Sequence, residues 1–400
     1  MMDTQSIRAA FPVLNHSGAI YFDSACTSLK PRMVIDAERA YYEEYSACAG
    51  RSHHPMADKT EATFEAARER IARFVNAKPD EVVFTRNTTE ALNLVVRSID
   101  YSSRRTIVTT ALEHHSVLLP ILEQQRRGGV RVELLPVTAS GEIDVSSIDR
   151  LIDHQTALVA IHHTTNTTGM RAPLETIVAR ARDQGALVLV DGAQGVPHAR
   201  VDFRKLGIDF LAFSGHKMCG PTGIGCLVGR KSALDALDTF IVGGGTVETV
   251  TLQKVQWAAG PKRFEAGIQN YAGAIGLAAA CDYLSAIGME QIERRERELA
   301  GALVEAVQSV PGATIYGTPD PARRCALVTF NLKGIPAHQV ALMCPSLSKV
   351  ALRSGVFCAQ PAMEVLGAPD GAVRASLYIY NTEAEIQTFR TTIQKIAKLA

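Results

Sequence analysis

Between residues 82 and 228 the chain repeats one rhythm, in which short apolar runs alternate with amphipathic stretches. The runs fall at 82–84, 106–109, 130–135, 157–161, 186–190, 210–213 and 226–228. Runs of this length, mostly apolar and separated by helical spacing, predict strands buried in a largely parallel sheet covered by helices. Just upstream, Phe64, Ala67, Ile71 and Val75 recur at intervals of three and four, the spacing of one helix face. Beyond about Leu284 the texture changes. A charged helix carries Leu299, Leu303 and Val307 on one side, and an alternating strand spans 325–332. A further strand spans 374–380, and a last helix lines up Ile386, Phe389, Ile393 and Ile396. This is the pattern of a smaller α+β unit. No internal repeat, low-complexity tract or Pro/Ser linker separates the two parts, so they are expected to pack together.

Length and composition narrow the function. A chain of 400 residues that is 46% hydrophobic and 21% charged has ample core and the balance of a globular enzyme. Lys plus Arg at 42 against Asp plus Glu at 41 leaves a net charge of +1. That excludes the basic field needed to hold nucleic acid or an anionic membrane, and points to small-molecule partners. The start, Met1-Met2-Asp3-Thr4-Gln5, lacks the basic and apolar segments of a signal peptide, so a cytoplasmic location is expected. Eight cysteines are scattered without a C-x-x-C pair, which argues against a zinc ribbon or a disulfide framework. Most are expected as buried hydrophobes, with at least one available as a reactive thiol.

Three elements carry candidate chemistry. In Phe213-Ser214-Gly215-His216-Lys217, followed by Gly220-Pro221-Thr222-Gly223-Ile224-Gly225, a lysine lies just past an apolar strand among small residues. Burial there would lower its pKa and free the amine to attack a carbonyl. Asp191 ends the fully apolar run 186–190, at the sheet edge where open α/β folds bind ligands. A carboxylate at that edge suits a protonated ring nitrogen, although an aspartate there also caps helices. At 82–90 a strand gives way to a helix start bearing Thr88 and Thr89, whose free amides and hydroxyls suit a phosphate. Together a lysine, a carboxylate and a phosphate cradle describe a pyridoxal phosphate site. Two other patterns are set aside. The glycines of 223–229 precede a strand instead of opening a helix after one, unlike a dinucleotide fingerprint. The paired histidines at 53–54, 114–115 and 162–163 alternate faces if extended, so no metal site is expected.

With these residues in view, the chain resembles the class V, type I fold pyridoxal phosphate enzymes, and within them the SufS-type cysteine desulfurases. The resemblance runs nearly end to end. It is carried most specifically by Ser-Gly-His-Lys-x-x-Gly-Pro-Thr-Gly-Ile-Gly at 214–225, Arg-Phe-Glu-Ala-Gly at 263–267 and Arg-Ser-Gly-Val-Phe-Cys-Ala-Gln-Pro at 353–361. Asp-Ser-Ala at 23–25 and Arg-Ala-Ser-Leu at 374–377 also fit. The resemblance implies an α/β fold with a mostly parallel seven-stranded mixed sheet in a large domain, 21–284, and a small α+β domain from 1–20 and 285–400. It implies that Lys217 bonds the cofactor, Asp191 pairs its ring nitrogen and His114 stacks on the ring and relays protons. Asn166 and Gln194 would contact substrate and ring hydroxyl, and Thr88, Thr89, Ser214 and His216 would hold the phosphate. Arg374 would clamp the substrate carboxylate, supported by Arg353, and Cys358 would take sulfur from L-cysteine as a persulfide, releasing alanine. A homodimer, with 263–270 crossing between subunits, and a sulfur-acceptor protein for iron–sulfur cluster assembly follow as expectations. A class V aminotransferase, a selenocysteine lyase or a carbon–sulfur lyase without a persulfide is the alternative.

The chain departs from the family pattern in three places. Val356 and Phe357 stand where many SufS-type enzymes carry two histidines. Ile268 replaces a threonine whose hydroxyl would reach the neighbouring subunit's phosphate. Asn87 replaces a glycine before the two threonines, and the turn is expected to survive because Asn tolerates left-handed backbone.

Overall fold

The computed structural model describes residues 3–50 and 52–399. Seven strands form the large sheet: β1 (Val82–Thr85), β2 (Thr106–Thr110), β3 (Arg131–Leu135), β4 (Thr156–His162), β5 (Leu187–Asp191), β6 (Phe210–Ser214) and β7 (Gly225–Gly229). Their order across the sheet is β1-β7-β6-β5-β4-β2-β3. Only β7 runs antiparallel to its neighbours, Phe84 facing Cys226 on one side and Phe213 facing Cys226 on the other. Each strand lies within about one residue of the apolar run that predicts it. The reason is burial: β1, β2, β4, β6 and β7 are buried at every position, so no polar alternation interrupts the hydrophobic signal.

Because β1, β2, β4, β5 and β6 all point the same way, their carboxyl ends share one rim. The segments leaving that rim carry Thr88, His114, Asn166, Asp191 and Lys217. The rim is tight where β7 begins. A Cβ at Gly225 would lie 2.6 Å from the Phe213 carbonyl and 2.8 Å from the Asn87 Cα, so only glycine lets the Thr88 turn approach β6.

The C-terminal part builds a second, four-stranded antiparallel sheet from β8 (Ala313–Tyr316), β9 (Leu327–Leu332), β10 (Arg353–Gly355) and β11 (Ala372–Ser376), in the order β8-β9-β11-β10. Helices Met289–Gln308 and Glu383–Ala397 cover it, burying Leu299, Leu303, Val307, Ile386, Phe389, Ile393 and Ile396 in one core. Thr382 and Glu385 cap the last helix reciprocally. The N-terminal chain joins this sheet: Ile20–Tyr21 pairs in parallel with Val350–Ala351, and Asp23 bridges to Ser376.

The strand expected over 374–380 is displaced to Ala372–Ser376, which places Arg374 at its middle. Leu377 to Tyr380 are buried outside any strand. There the Tyr378 hydroxyl donates to the Pro197 carbonyl at 2.8 Å and Tyr380 Oη pairs with Ser24 Oγ at 2.8 Å. Two phenols that need polar partners inside a core hold the run against loops instead of a ladder. The strand expected from 325 starts at Leu327, because the Cys325 amide donates to the Gly169 carbonyl.

One buried ion pair ties the 263–267 segment to the sheet edge. The Arg68 guanidinium grips both oxygens of Glu265 (2.7 and 3.0 Å), donates to the Val82 carbonyl and lies over the rings of Phe64 and Phe84. Glu265 also accepts from the Phe84 amide at 2.7 Å. Replacing Arg68 by alanine strands a buried carboxylate. It is expected to destabilise the fold by about 3–5 kcal/mol, measurable by urea denaturation, and a change under about 1 kcal/mol would contradict that role.

Candidate active site

A cavity of about 240 Å³ opens at the carboxyl rim of the large sheet. All twelve residues singled out from the sequence line it: Thr88, Thr89, His114, Asn166, Asp191, Gln194, Ser214, His216, Lys217, Arg353, Cys358 and Arg374. The large sheet supplies the floor, the loop around Ala25 and Cys26 one wall, and β10, β11 and the loop after β10 the other.

Lys217 follows β6 in a single tight turn, Gly215–Lys217, closed by the Gly215 amide on the Ile224 carbonyl. Burial lowers its pKa from the usual lysine value, partly countered by the Asp191 carboxylate. The amine is thereby shifted toward its uncharged, nucleophilic form. Asp191 closes β5, is buried, and accepts from the Ala193 amide at 2.9 Å. Burial pushes its carboxyl above the normal range, against the pull of Lys217. An anion so poorly solvated gains most from a cationic partner brought in by a ligand. Gln194 donates to the Ala25 carbonyl at 2.7 Å, which leaves its buried Oε1 without a partner.

At the other end of the cavity, Thr88 Oγ1 pairs with Ser214 Oγ at 2.6 Å, and the Thr88 amide donates to the same oxygen at 2.8 Å. Thr89 Oγ1 pairs with Ser116 Oγ at 2.7 Å. These hydroxyls crowd the start of helix Thr88–Ser98, where free amides favour an anion. Asn87 has φ −176°, extended and not left-handed, so its side chain is the useful feature: Oδ1 caps the helix through the Glu90 amide at 3.0 Å. The expectation of a left-handed turn there is corrected. His216 lines this end too, and its carbonyl accepts from the Ser28 amide at 2.9 Å, clamping the lysine turn to the N-terminal loop.

His114 caps helix His115–Arg126, and its Nδ1 accepts from the Ser116 amide at 3.1 Å. That bond assigns the proton to Nε2. Burial, reinforced by Lys217, His115 and Arg374, lowers its pKa to about 4. The imidazole is therefore neutral at physiological pH, a flat face and not a cation. His163 lies outside this cavity, its Nδ1 bonded to Thr164 Oγ1 and its ring packed on Gly195.

The substrate side holds two arginines whose pairing the sequence did not reveal. Arg353 and Arg374 are directly opposite each other on β10 and β11. Two cations on facing positions repel, and Asp23, whose Oδ1 is 3.4 Å from Arg374 Nη2, offsets this only in part. Arg374 is only 2% exposed, donates to the Asn166 carbonyl at 2.8 Å and leaves Nε without a partner. Phe357 lies over it, ring centre 4.9 Å from the guanidinium carbon. An anion is the natural complement of such a pair.

Cys358 is exposed, unlike the five buried cysteines. Burial pushes the Cys219, Cys325 and Cys344 thiols up to about 12, and those of Cys226 and Cys281 also upward, which leaves all five inert. Phe357 and Cys358 both have positive φ, 53° and 54°. This left-handed pair costs about 1–3 kcal/mol per residue and persists only if anchored. The anchors are Asn166 Nδ2 on the Phe357 carbonyl and the His115 amide on the Cys358 carbonyl, each 2.8 Å. Asp23, Cys26, Ser116 and Phe357 were not picked out as site residues. Asp23, Cys26 and Phe357 lie outside the named strands and helices and Ser116 sits in the first turn of the helix after His114, so no periodicity flags them.

Comparison with known proteins agrees with this geometry. Residues 20–389 match the aminotransferase class-V family. A probable cysteine desulfurase of Streptomyces coelicolor is 40% identical over 399 residues, covering 96% of this chain and 95% of its own. The structure of a cysteine desulfurase from Thermococcus onnurineus superposes with TM-score 0.95 at 37% identity, and that of Escherichia coli CsdA with 0.92 at 33%, each covering 100% of this chain and 99% of its own. The chain belongs to the class V aminotransferase family, pyridoxal phosphate enzymes of type I fold, and within it to the cysteine desulfurases.

Proposed function

We propose that the protein takes sulfur from L-cysteine and leaves it as a persulfide on Cys358, with alanine as the other product. The carrying observation is that one cavity unites a desolvated lysine, a buried carboxylate, an exposed thiol and a facing arginine pair. The residues present fit pyridoxal phosphate. Gln194 Oε1 is an orphaned acceptor, Asp191 is a buried carboxyl whose anionic form a cationic ring nitrogen would stabilise, and Thr88, Thr89, Ser214 and His216 surround a helix start suited to a phosphate. When bound, the cofactor supplies a ring that withdraws electrons from the substrate's α-carbon.

This chain's residues would do the rest. Asp191 would hold the ring nitrogen protonated and the neutral face of His114 would pack on the ring, while Asn166 and Gln194 would orient substrate and ring. Arg374, backed by Arg353, pairs both oxygens of the substrate carboxylate. Lys217 Nζ, its pKa lowered by burial, would accept the α-proton and return it. Cys358 Sγ, as thiolate, bonds to the substrate sulfur while that sulfur's bond to carbon breaks. The bonding electrons stay with the carbon fragment, which becomes alanine on protonation.

Incubation with L-cysteine, selenocysteine and cysteine sulfinate, following alanine and the inorganic product, tests this. Alanine rising in step with sulfide from L-cysteine is the expected result. Pyruvate with ammonia, or a keto acid that needs an added amino acceptor, would place the protein among the lyases or aminotransferases instead.

Phe357 is proposed to hold the Arg374 guanidinium flat for the carboxylate. A cation over an aromatic face is worth about 0.5–2 kcal/mol. Phe357→Leu is therefore expected to raise KM for cysteine about threefold to tenfold with a smaller change in kcat, and an unchanged KM would remove this role.

We also propose a cytoplasmic homodimer of a large domain, 21–284, and a small one, 1–20 with 285–400, that delivers sulfur to an acceptor protein. The eight free cysteines suit a reducing compartment. Ile241, Val242, Val250, Leu252, Val255, Trp257 and Ile268 form exposed apolar positions on and around one hairpin, a surface that favours a second copy. If Ile268 reaches the partner's phosphate site, Ile268→Thr adds one charge-assisted hydrogen bond. Cofactor Kd by titration is then expected to fall about tenfold, and no change would contradict the crossover.

A further inference from the structure

Two cysteines, not one, line the active-site cavity. Cys26 is held by its surroundings on both sides: its own amide donates to the Asp23 carbonyl at 3.0 Å, and at the preceding Ala25 the amide donates to Ser376 Oγ at 3.0 Å while the carbonyl accepts from Gln194. Its sulfur accepts from Arg353 Nη1 at 3.4 Å, within the limit for a bond to sulfur. Cys26, Lys217 and Cys358 all line this one cavity. The cavity is also built for a ligand independently of either thiol. Arg374 and Gln194, each 2% exposed, line it with Nε and Oε1 unpartnered. Nothing in the desulfurase reading uses Cys26.

We propose that Cys26 is a second sulfur-bearing residue of the reaction, receiving the outer sulfur of the Cys358 persulfide. The Cys26 thiolate, accepting from Arg353, attacks that outer sulfur. A new Cys26 Sγ–S bond forms, the Cys358 Sγ–S bond breaks, and Cys358 leaves with the electron pair as thiolate. One persulfide replaces another, so no oxidant or reductant is needed, and the persulfide proton is retained on the transferred sulfur. The consequence is functional: Cys358 is freed for a second turnover, and the enzyme can store more than one sulfur before an acceptor arrives. Val356 and Phe357 flank Cys358 with apolar groups, whereas Cys26 has a guanidinium on its sulfur, so the transfer moves sulfur toward the cationic side of the cavity.

This inference rests on the desulfurase reading above, and one experiment separates the two. The cofactor-loaded enzyme is treated anaerobically with excess L-cysteine and no reductant, then alkylated and mapped by peptide mass. Sulfur on both the Cys26 and Cys358 peptides of the wild type is expected. Cys26→Ser should carry sulfur on Cys358 alone, and Cys358→Ser on neither. Sulfur confined to Cys358 in the wild type overturns the inference while leaving the desulfurase reading intact. A Cys26–Cys358 disulfide with released sulfide overturns it too, since Cys26 would then discharge the sulfur instead of storing it. Sulfur on Cys26 in Cys358→Ser overturns the order of transfer. No sulfur on either peptide, with no alanine formed, is the failure of the underlying reading.

Discussion

Replacing Cys358 by alanine is expected to reduce alanine and sulfide formation from L-cysteine by about a hundredfold or more, while the cofactor's absorbance and binding stay as in the parent. The thiol is the group that must accept sulfur before the carbon–sulfur bond can break without elimination, and loss of a nucleophile removes a bond-making step, not a contact. The backbone argument sharpens this. Phe357 and Cys358 are held at positive φ by Asn166 and His115. Local strain of this kind is retained where position matters more than stability. Since Cys358 is exposed, Cys358→Ala should leave thermal stability nearly unchanged. Parallel loss of stability and activity would show that the loop, not the sulfur, was damaged. Full retention of alanine formation would assign sulfur release to a mechanism without Cys358.

Lys217→Ala is expected to cost turnover about a thousandfold or more, because it removes both the covalent attachment and the base at the α-carbon. Cofactor should still bind, since Thr88, Thr89, Ser214, His216 and Asp191 are untouched. The variant should therefore hold it without a bond to protein, and the absorbance typical of the lysine-bound cofactor should be missing. If the variant turned over within about tenfold of the parent, desolvation of Lys217 would be structural and the base would lie elsewhere. Conversion to Arg is not a rescue, because a guanidinium keeps its charge when buried.

Much of this site was legible in the sequence because its parts sit where buried strands stop. An apolar run ending in Asp191 and another ending before Lys217 mark the rim of a parallel sheet, and the rim is where such folds place chemistry. The same reasoning explains what was not legible. Which residues face each other across β10 and β11 is a matter of register, and no local pattern sets Arg353 opposite Arg374. The stacking of Phe357 on Arg374 depends on a left-handed turn at a residue that rarely makes one. Cys26 reaches the cavity, and Asp23 reaches Arg374 behind it, from a loop that is nearly the whole chain away from β11 in sequence. The run 377–380 looked like strand because it is apolar and β-prone, yet Tyr378 and Tyr380 needed polar partners that only loops supplied. At Asn87 the opposite happened, and a residue expected to rescue a turn proved to be an ordinary helix cap in extended backbone.

The whole account depends on one amine reaching the cofactor. The most direct test is reduction of the holoenzyme with borohydride, followed by proteolysis and peptide mass analysis. The account predicts a pyridoxyl group fixed to the peptide bearing Lys217 and to no other lysine. A label on another lysine such as Lys30, or none in a protein that visibly holds the cofactor, would contradict it.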